Sequence, residues 1–222
     1  METVNIVLQY WPAFQSGLAT TLKLAGIVWL GGLGLGTLLG YLVDRYQRWL
    51  KWPFDIACFV LSGIPVLVAL VWAHYPLQVL MRVVIDPFVT ACWVLTVVNV
   101  FAVAQTLSAA LREFPTGYIT AAKVCGVTRR QTFWHIKLPI IVRQILPGIV
   151  TSQVVILQST LFTSLISVDE LFRAAQRINA SAYKPVEIYT ALALFFLAIC
   201  LPLNGFSIWF RSHLTKRVVD DY

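Results

Sequence analysis

Uncharged polar side chains interrupt two long apolar segments of the sequence. They are Asn99, Gln105 and Ser108 in one segment, and Gln158 and Ser159 in another. Polar groups are costly inside a membrane unless they have partners, and they often mark a substrate path. They can equally form hydrogen bonds between helices, which contribute about 0.6–2 kcal/mol per contact. The sequence leaves both interpretations open, and the five residues are a candidate substrate path.

No pattern for catalysis accompanies these polar residues. The sequence lacks a Gly-rich phosphate loop with its Lys, a His-Glu-x-x-His pair and a Gly-x-Ser-x-Gly turn. Its three histidines are scattered, and its four cysteines lack the spacing of metal ligands. We therefore expect no catalytic residue, no metal site and no cofactor in this chain.

The composition is that of a protein surrounded by lipid. Of the 222 residues, 59% are hydrophobic and 12% are charged, whereas a soluble domain has about 25% charged residues. The net charge is +7, but the sequence has no basic stripe on a soluble face, which nucleic-acid binding would require. We expect a membrane protein that contacts lipid and binds no nucleic acid.

Five apolar runs are long enough to cross a bilayer, which takes about 20 helical residues. Each run must be helical because lipid offers the backbone no hydrogen-bond partners. The predicted fold is therefore an all-α membrane protein in which residues 1–222 form a single transmembrane domain. The predicted spans cover residues 18–43, 56–75, 87–111, 144–168 and 188–210.

The distribution of basic residues predicts the orientation. If all five runs cross the membrane, most of the 17 Lys and Arg residues fall on one side. That side receives the basic residues of segments 45–51, 112–143 and 211–217. Because basic loops stay in the cytoplasm, we expect the N-terminus outside and the C-terminus in the cytoplasm.

A row of glycines in the first span predicts a close helix contact. Gly32, Gly36 and Gly40 are spaced by four residues and therefore share one helix face. Small residues in such a row let another helix approach closely. We favour packing within one subunit over a dimer interface as the role of this row.

The segment of residues 115–139 has the pattern of a helix–turn–helix. Gly126 fits a left-handed residue that ends one helix, and Thr128 followed by Gln131 is a capping box that opens the next. Pro139 precedes the fourth predicted span. This segment is too polar to enter the membrane. It could rest on anionic lipid or serve as a docking surface for a soluble partner, and both interpretations remain open.

The same segment resembles the cytoplasmic coupling loop of ABC importer permeases, specifically the polar amino-acid uptake family. That family's signature is Glu-Ala-Ala, three residues, Gly and a distal Leu-Pro, and Thr stands here in place of the Glu. The residues that the resemblance assigns to coupling are Gly117, Thr120, Ala121, Ala122, Gly126, Leu138 and Pro139. Residues 63–68 and 157–171 resemble further family motifs in the same order, and the resemblance extends over roughly residues 16–215.

The resemblance implies the ABC importer permease fold, with five spans and a cytoplasmic helix–turn–helix coupling loop, in a bacterial inner membrane. It implies transport of a polar amino acid or a related small nitrogen compound. Two copies of a cytoplasmic ATP-binding subunit would dock on the loops and hydrolyse ATP, so this chain would not be an enzyme. A second permease and an extracytoplasmic substrate-binding protein would complete the transporter, with a heterodimer of permeases favoured over a homodimer.

The sequence departs from the family at four charged positions. Where the family has Glu, Arg, Lys and Asp inside the spans, this chain has Gln105, Ser108, Gln158 and Ser159. Either the substrate is less usual, or the second permease holds the binding groups. Two alternatives therefore stay open: an ABC permease for an opine, an osmolyte or a peptide, and a membrane scaffold or enzyme without an ATPase partner.

Overall fold

Helices make up nearly all of the chain. The computed structural model describes residues 2–219, and side chains from Thr3 to Ser212; those of His213, Lys216 and Arg217 lie outside this described part. In chain order the helices are α1 (Glu2–Gln9), α2 (Trp11–Arg45), α3 (Gln47–Gly63), α4 (Val66–His74), α5 (Pro76–Met81), α6 (Pro87–Arg112), α7 (Thr116–Val124), α8 (Arg129–Gln131), α9 (Leu138–Ser159), α10 (Leu171–Ala182) and α11 (Pro185–Val219). A π-helical turn, Thr132–Lys137, precedes α9, and a 3-10 segment, Thr160–Ile166, follows it.

Within residues 2–219, five helical units have the length and apolar composition to cross a membrane, if a bent pair of helices counts as one unit. Four are single segments, namely Trp11–Arg45, Pro87–Arg112, Arg129–Ile166 and Pro185–Ser212. The fifth is a bent pair, Gln47–Gly63 with Val66–Met81. The units follow the order of the five predicted spans, which confirms the all-α membrane fold.

The closest helix pair in the bundle is α2 with α6. A Cβ atom on Gly36 would lie 2.7 Å from the Cβ of Val103, and one on Gly40 would lie 2.8 Å from the carbonyl oxygen of Ala104. The Asn99 side chain occupies the corresponding space at Gly32. The glycine row therefore lets two backbones of the same chain pack directly on each other, and the prediction of a contact within one subunit is confirmed.

The prediction of an unbroken helix over residues 56–75 is wrong. α3 ends at Gly63, Ile64 is extended (φ −99°, ψ 117°), and α4 begins only after Pro65. Proline has no N–H to continue the helix, and its ring disfavours a helical conformation of the residue before it. The chain therefore breaks at Ile64–Pro65, and the two halves of the span are bent by 94°.

The sequence pattern predicted that the second helix of residues 115–139 is short and separate from the fourth span. In the structure this helix does not end before Pro139. It continues through the π-helical turn and α9 as one helical segment, Arg129–Ile166. Within the turn, the Leu138 N–H donates to the carbonyl of Phe133, five residues back. This wider spacing is the local adjustment that helices use near a proline, which cannot donate. The turn at Gly126 therefore joins directly onto the fourth crossing.

Each end of the bundle has its own buried apolar cluster. At one end, the α7 end, Phe114 and Ile141 are buried beneath the basic segment. At the opposite end, the α10 end, Phe14, Leu171 and Ile188 pack together where α2, α10 and α11 meet. The short helices α7 and α10 are thus fixed to the bundle by apolar contacts.

Candidate functional site

The turn between α7 and α8 is held by hydrogen bonds at both sides of Gly126. Gly126 has a φ of +74°, a conformation that costs other residues about 1–2 kcal/mol. The Val127 N–H donates to the Ala122 carbonyl at 2.9 Å, and the Gly126 N–H donates to the Lys123 carbonyl at 3.1 Å. These two bonds form the Schellman motif that closes a helix at a left-handed glycine. The predicted left-handed Gly126 is confirmed.

The capping box that opens the following helix is also confirmed. The Gln131 N–H donates to the Thr128 hydroxyl at 3.3 Å, and the Thr128 N–H donates to the Gln131 side-chain oxygen at 3.1 Å. Two backbone donors at the helix start are thereby satisfied by side chains of the turn itself. The four residues from Cys125 to Thr128 therefore have a defined conformation without help from another protein.

The turn presents an exposed surface of mixed polarity. Of the seven residues that the resemblance assigned to coupling, Gly117, Thr120, Ala121 and Gly126 are exposed; Ala122 is buried, and Leu138 and Pro139 are half-buried. Large apolar side chains near the turn are also exposed: Tyr118 (51%), Val124 (84%) and Trp134 (57%). Apolar groups beside basic ones on a short structured element are typical of a surface that another protein or a membrane covers.

Asn99 lies in a hydrogen-bonded contact at the centre of the bundle. Its side chain is fully buried and exchanges two hydrogen bonds with the Gln153 amide, at 2.8 and 3.0 Å. It also donates to the Val28 carbonyl at 3.0 Å, and the Trp29 indole donates to the Gln153 carbonyl at 3.1 Å. Asn99 thus links α6 with α2 and α9, and this geometry favours hydrogen bonding between helices over contact with a substrate.

Gln105 and Ser108 do not share one environment, although they are three residues apart on α6. Gln105 is exposed, whereas Ser108 is buried, and the Ser108 hydroxyl has no hydrogen-bond partner. Gln158 and Ser159 are similarly divided, since Gln158 is exposed and the Ser159 hydroxyl donates to the carbonyl of Val155 at 2.8 Å. The structure therefore leaves two amide side chains exposed, Gln105 and Gln158, and the Gln158 amide forms a hydrogen bond with the Cys200 thiol.

A groove runs along Gln158 between the end of α9, the 3-10 segment and α11. Its volume is about 740 Å³, which is ample for an amino acid. Gln158, Ser159 and Ser164 supply its polar groups, and Phe162, Phe172, Tyr189 and Phe196 supply aromatic surface. Among the side chains that the structure describes, none that lines it is charged. The sequence reasoning missed these aromatic residues because they lie on separate elements and resemble ordinary core positions.

At the α10 end, Glu170 is the N-terminal cap of α10. Its carboxylate accepts hydrogen bonds from the N–H groups of Phe172 and Arg173, each at 2.8 Å. Its side chain is fully buried, and burial raises the pKa of Glu170 to about 7, against the opposing effects of these two hydrogen bonds and of the nearby Arg173. In the sequence, Glu170 belongs to the segment 157–171 that resembles a family motif, but its role as a helix cap was not predicted, because Glu is not among the residue types preferred at a helix start.

Surface ion pairs surround this cap. Asp169 accepts from Arg173 at 3.2 Å and from Arg177 at 3.0 Å. These exposed pairs contribute little to stability, about 0–1 kcal/mol each. Among the described residues, no three His, Cys, Asp or Glu side chains lie close enough together to hold a metal ion.

Five helical units able to cross a membrane, found within the described residues, with a structured turn at one end define the class of protein: a multi-pass integral membrane protein. The sequence matches the family described as "Binding-protein-dependent transport system inner membrane component" over residues 32–219, and the chain belongs to that family.

Named relatives and a solved structure agree with this assignment. The chain is 30% identical to the arginine ABC transporter permease protein ArtQ of Haemophilus influenzae, over 76% of this chain and 79% of ArtQ. It is 28% identical to the octopine transport system permease protein OccM of Rhizobium meliloti, over 94% of this chain and 91% of OccM. The crystal structure of an amino acid ABC transporter with histidines has the same fold, with a TM-score of 0.83 at 24% identity, covering 93% of this chain and 96% of that one.

Family membership has direct consequences for this chain. It is a multi-pass permease of a bacterial inner membrane and works with separate ATP-binding subunits and a substrate-binding protein. ATP hydrolysis belongs to those separate subunits, and the permease is not an enzyme.

Proposed function

We propose that this chain imports a polar amino acid or a related small nitrogen compound, as one of two permease subunits of an ATP-driven transporter. The names of its relatives support this substrate class, since ArtQ is named for arginine and the related permease GlnP of Escherichia coli for glutamine. The observation that carries the transport mechanism is the structured turn at Gly126, which is continuous with the fourth membrane crossing. A partner that moves this turn would move the crossing with it.

The proposed orientation places the α7 end in the cytoplasm and the α10 end outside. Most basic residues of the chain belong to segments at the α7 end, as expected for the cytoplasmic side. Two ATP-binding subunits would each dock on one such turn, one turn from each permease. The substrate-binding protein would deliver its ligand to the α10 end.

The coupling surface is proposed to comprise the exposed residues Gly117, Thr120, Ala121 and Gly126. Ala122 supports the turn through its carbonyl, which accepts from Val127, while Leu138 and Pro139 belong to the helix that transmits the movement. The Thr120 hydroxyl donates to the Thr116 carbonyl within α7. Thr120 therefore offers no charge for docking, and the apolar Tyr118 and Val124 beside it supply contact area instead.

For the substrate path, we keep Gln105 and Gln158 as ligand contacts and assign Asn99 to helix packing. The neutral, partly aromatic groove at Gln158 suits an uncharged portion of the substrate. Groups that bind the charged ends of an amino acid would come from the second permease. A heterodimer with unlike roles for its two permeases is consistent with this division.

Co-purification from native membranes in mild detergent, with identification of the bound proteins, tests the assembly. The expected result is an ATP-binding subunit together with a second permease. Recovery of the folded chain without any ATP-binding subunit would contradict the proposal.

Substitution of Gly126, compared with substitution of a control glycine, tests whether this turn couples ATP hydrolysis to uptake. Gly126→Val places a β-branched residue at a positive φ, which is strained by more than the 1–2 kcal/mol of an ordinary side chain. Uptake should fall at least about tenfold while insertion and expression remain normal. The matched control is Gly34→Val, because Gly34 lies in the first crossing, outside the proposed coupling surface, and a Cβ atom there would have no neighbour within 4 Å. Unchanged uptake by Gly126→Val would defeat the coupling role of this turn.

A further inference from the structure

A small basic cavity lies beside the coupling turn, between α7 and the π-helical turn. Lys123, Arg129 and Lys137 line it together with Thr132 and Phe133, and its volume is about 240 Å³. The three basic side chains come from α7, α8 and the π-helical turn, respectively. Three separate elements therefore bring positive charge to one site that has room for a single compact anionic group.

The protein does not neutralise these three charges. Within the part of the chain that the structure describes, ion pairs occur only at Asp169, at the opposite end of the bundle, and no acidic side chain lines the cavity. The Lys137 ammonium lies 5.9 Å from the centre of the Phe114 ring, a contact that orients the side chain and leaves its charge in place. The Thr132 hydroxyl donates to the Thr128 carbonyl. Because like charges repel one another, an anion in the cavity would relieve the repulsion.

The cavity borders the lipid headgroups. The helical unit Arg129–Ile166 has 38 residues, whereas about 20 are enough to cross the hydrocarbon. Its last Lys or Arg residue is Arg143, so the apolar part that crosses the hydrocarbon follows Arg143 and the π-helical turn precedes it. Trp134 in that turn is 57% exposed, and Trp is enriched at the level of the headgroups. Both observations place the cavity beside the membrane surface.

The cavity and the coupling surface lie on different faces of α7. Gly117, Thr120 and Ala121 share one face because they are three and four residues apart. An α-helix turns by about 100° per residue, so Lys123 lies about 110° around the helix from the middle of that face. An ATP-binding subunit docked on the coupling surface does not need to cover the cavity, and a ligand of the cavity can be bound at the same time.

We propose that this cavity binds the phosphate group of an anionic phospholipid from the cytoplasmic leaflet. The inference goes beyond the proposed function but rests on its orientation, in which the α7 end is cytoplasmic. Basic pockets beside membrane helices on that side suit anionic headgroups, and the guanidinium of Arg129 carries paired donors that match a phosphate. A phosphate held by Lys123 and Lys137 joins α7 to the helix of the fourth crossing, so the coupling turn responds to the lipid composition of the membrane.

Lipid binding to the purified 222-residue chain tests the site. Dioctanoyl phosphatidylglycerol, dioctanoyl phosphatidylcholine and inorganic phosphate are each titrated into the protein in a neutral detergent, and native mass spectrometry counts the bound molecules. Phosphatidylglycerol should bind more tightly than either of the other probes. Failure of phosphatidylglycerol to bind, or equal binding of phosphatidylcholine, would overturn the proposal. Inorganic phosphate that binds as tightly as phosphatidylglycerol would overturn lipid as the source of the phosphate group.

Two neighbouring arginines separate a specific site from diffuse attraction. Arg129→Gln should weaken the binding of phosphatidylglycerol about fivefold, the loss expected for one basic residue beside anionic lipid, and Lys123→Gln should add a similar factor. The matched control is Arg130→Gln, because Arg130 is also exposed but does not line the cavity. Equal weakening by Arg129→Gln and Arg130→Gln would contradict a specific site. Thermal unfolding without lipid should be the same for all variants, because the replaced side chains are exposed.

Co-purification of the double variant Lys123→Gln/Arg129→Gln tests the other possible occupant, an acidic side chain of the ATP-binding subunit. The variant should retain that subunit. Loss of the subunit together with normal binding of phosphatidylglycerol would assign the cavity to protein docking and overturn the lipid site. The proposed function is tested separately, by co-purification of the unmodified chain, and lipid binding in detergent does not depend on the orientation of the chain in the membrane.

Discussion

At the scale of single residues, two buried polar side chains determine where a helix begins and how three crossings pack together. Glu170 and Asn99 are both fully buried, and each has hydrogen bonds that a neutral apolar residue could not replace. Their surroundings differ, since Glu170 caps a helix outside the membrane crossings and Asn99 joins three crossings. The two residues therefore respond to different measurements.

The stability of the protein should depend on pH through Glu170. Its pKa of about 7 exceeds the ordinary value of 4.5, so the folded protein retains a proton that the unfolded chain releases. The free energy of unfolding should therefore fall as pH rises from about 4.5 to 7, by at most about 1.4 kcal/mol per pH unit. Thermal unfolding of the purified protein across this range measures the slope.

Glu170→Gln is the control for this titration. It keeps one oxygen to cap α10 and removes the ionisable proton, so the pH slope should shrink to that of the remaining groups. Glu170→Ala should also lose the cap, at a cost of about 1 kcal/mol. A slope that survives in Glu170→Gln would assign the titration to another residue.

The Asn99–Gln153 pair can be tested by a double-mutant cycle. Asn99→Ala should destabilise the protein by about 1–3 kcal/mol because it leaves the Gln153 amide without its partner. The coupling energy with Gln153→Ala should be about 0.6–1.7 kcal/mol, as for other hydrogen bonds between membrane helices. Unfolding in mixed detergent micelles measures all three variants. Asn99 would belong to the substrate path instead if Asn99→Ala abolished uptake without loss of stability.

At the scale of helices, the sequence predicted packing that depends on residue size and local hydrogen bonds. The row of Gly32, Gly36 and Gly40 predicted a close contact, and Thr128 with Gln131 predicted a capping box, because both effects act within a few residues. The break at Pro65 was missed, although Gly63-Ile64-Pro65 contains a recognisable helix stop. The joining of the helix through Pro139 was not predictable, because the π-helical turn depends on packing of the surrounding helices.

The glycine row gives a sharp test of helix packing. Gly36→Val should destabilise the protein by about 1–3 kcal/mol, the range for overpacked contacts, because a Cβ there would meet Val103 at 2.7 Å and the Val100 carbonyl at 2.9 Å. Gly34→Val, two residues earlier on the same helix, meets nothing within 4 Å and should change the unfolding temperature little. Equal effects of the two substitutions would show that helix propensity, and not the contact with α6, decides the cost.

At the scale of the whole molecule, five crossings and their charge asymmetry make a prediction about topology. A fluorescent protein fused after Tyr222 should fold in the cytoplasm, whereas alkaline phosphatase fused after Tyr183, which follows α10, should be active outside. The physical reason is the retention of basic segments on the cytoplasmic side. An active phosphatase at Glu113, which follows α6, would reverse the orientation.

Much of the candidate site could not be predicted from a single sequence. The coupling turn could be predicted because its hydrogen bonds are local. The groove at Gln158 and the environment of Ser108 could not, since they depend on which faces of α6, α9 and α11 meet. The separation of Gln105 from Ser108 has the same origin: residues three apart share a helix face, yet the edge of a neighbouring helix can divide that face.

The direct contact of α2 with α6 also provides a reference frame for spectroscopy. The glycine row leaves room between the two helices only for closely packed side chains of α6, such as Asn99 and Val103, so the separation of the helices should be the same in every state of the transport cycle. Spin labels at the exposed positions Thr37 and Ala109 would report a constant distance. A third label on another crossing would then reveal which parts of the permease move relative to this fixed pair.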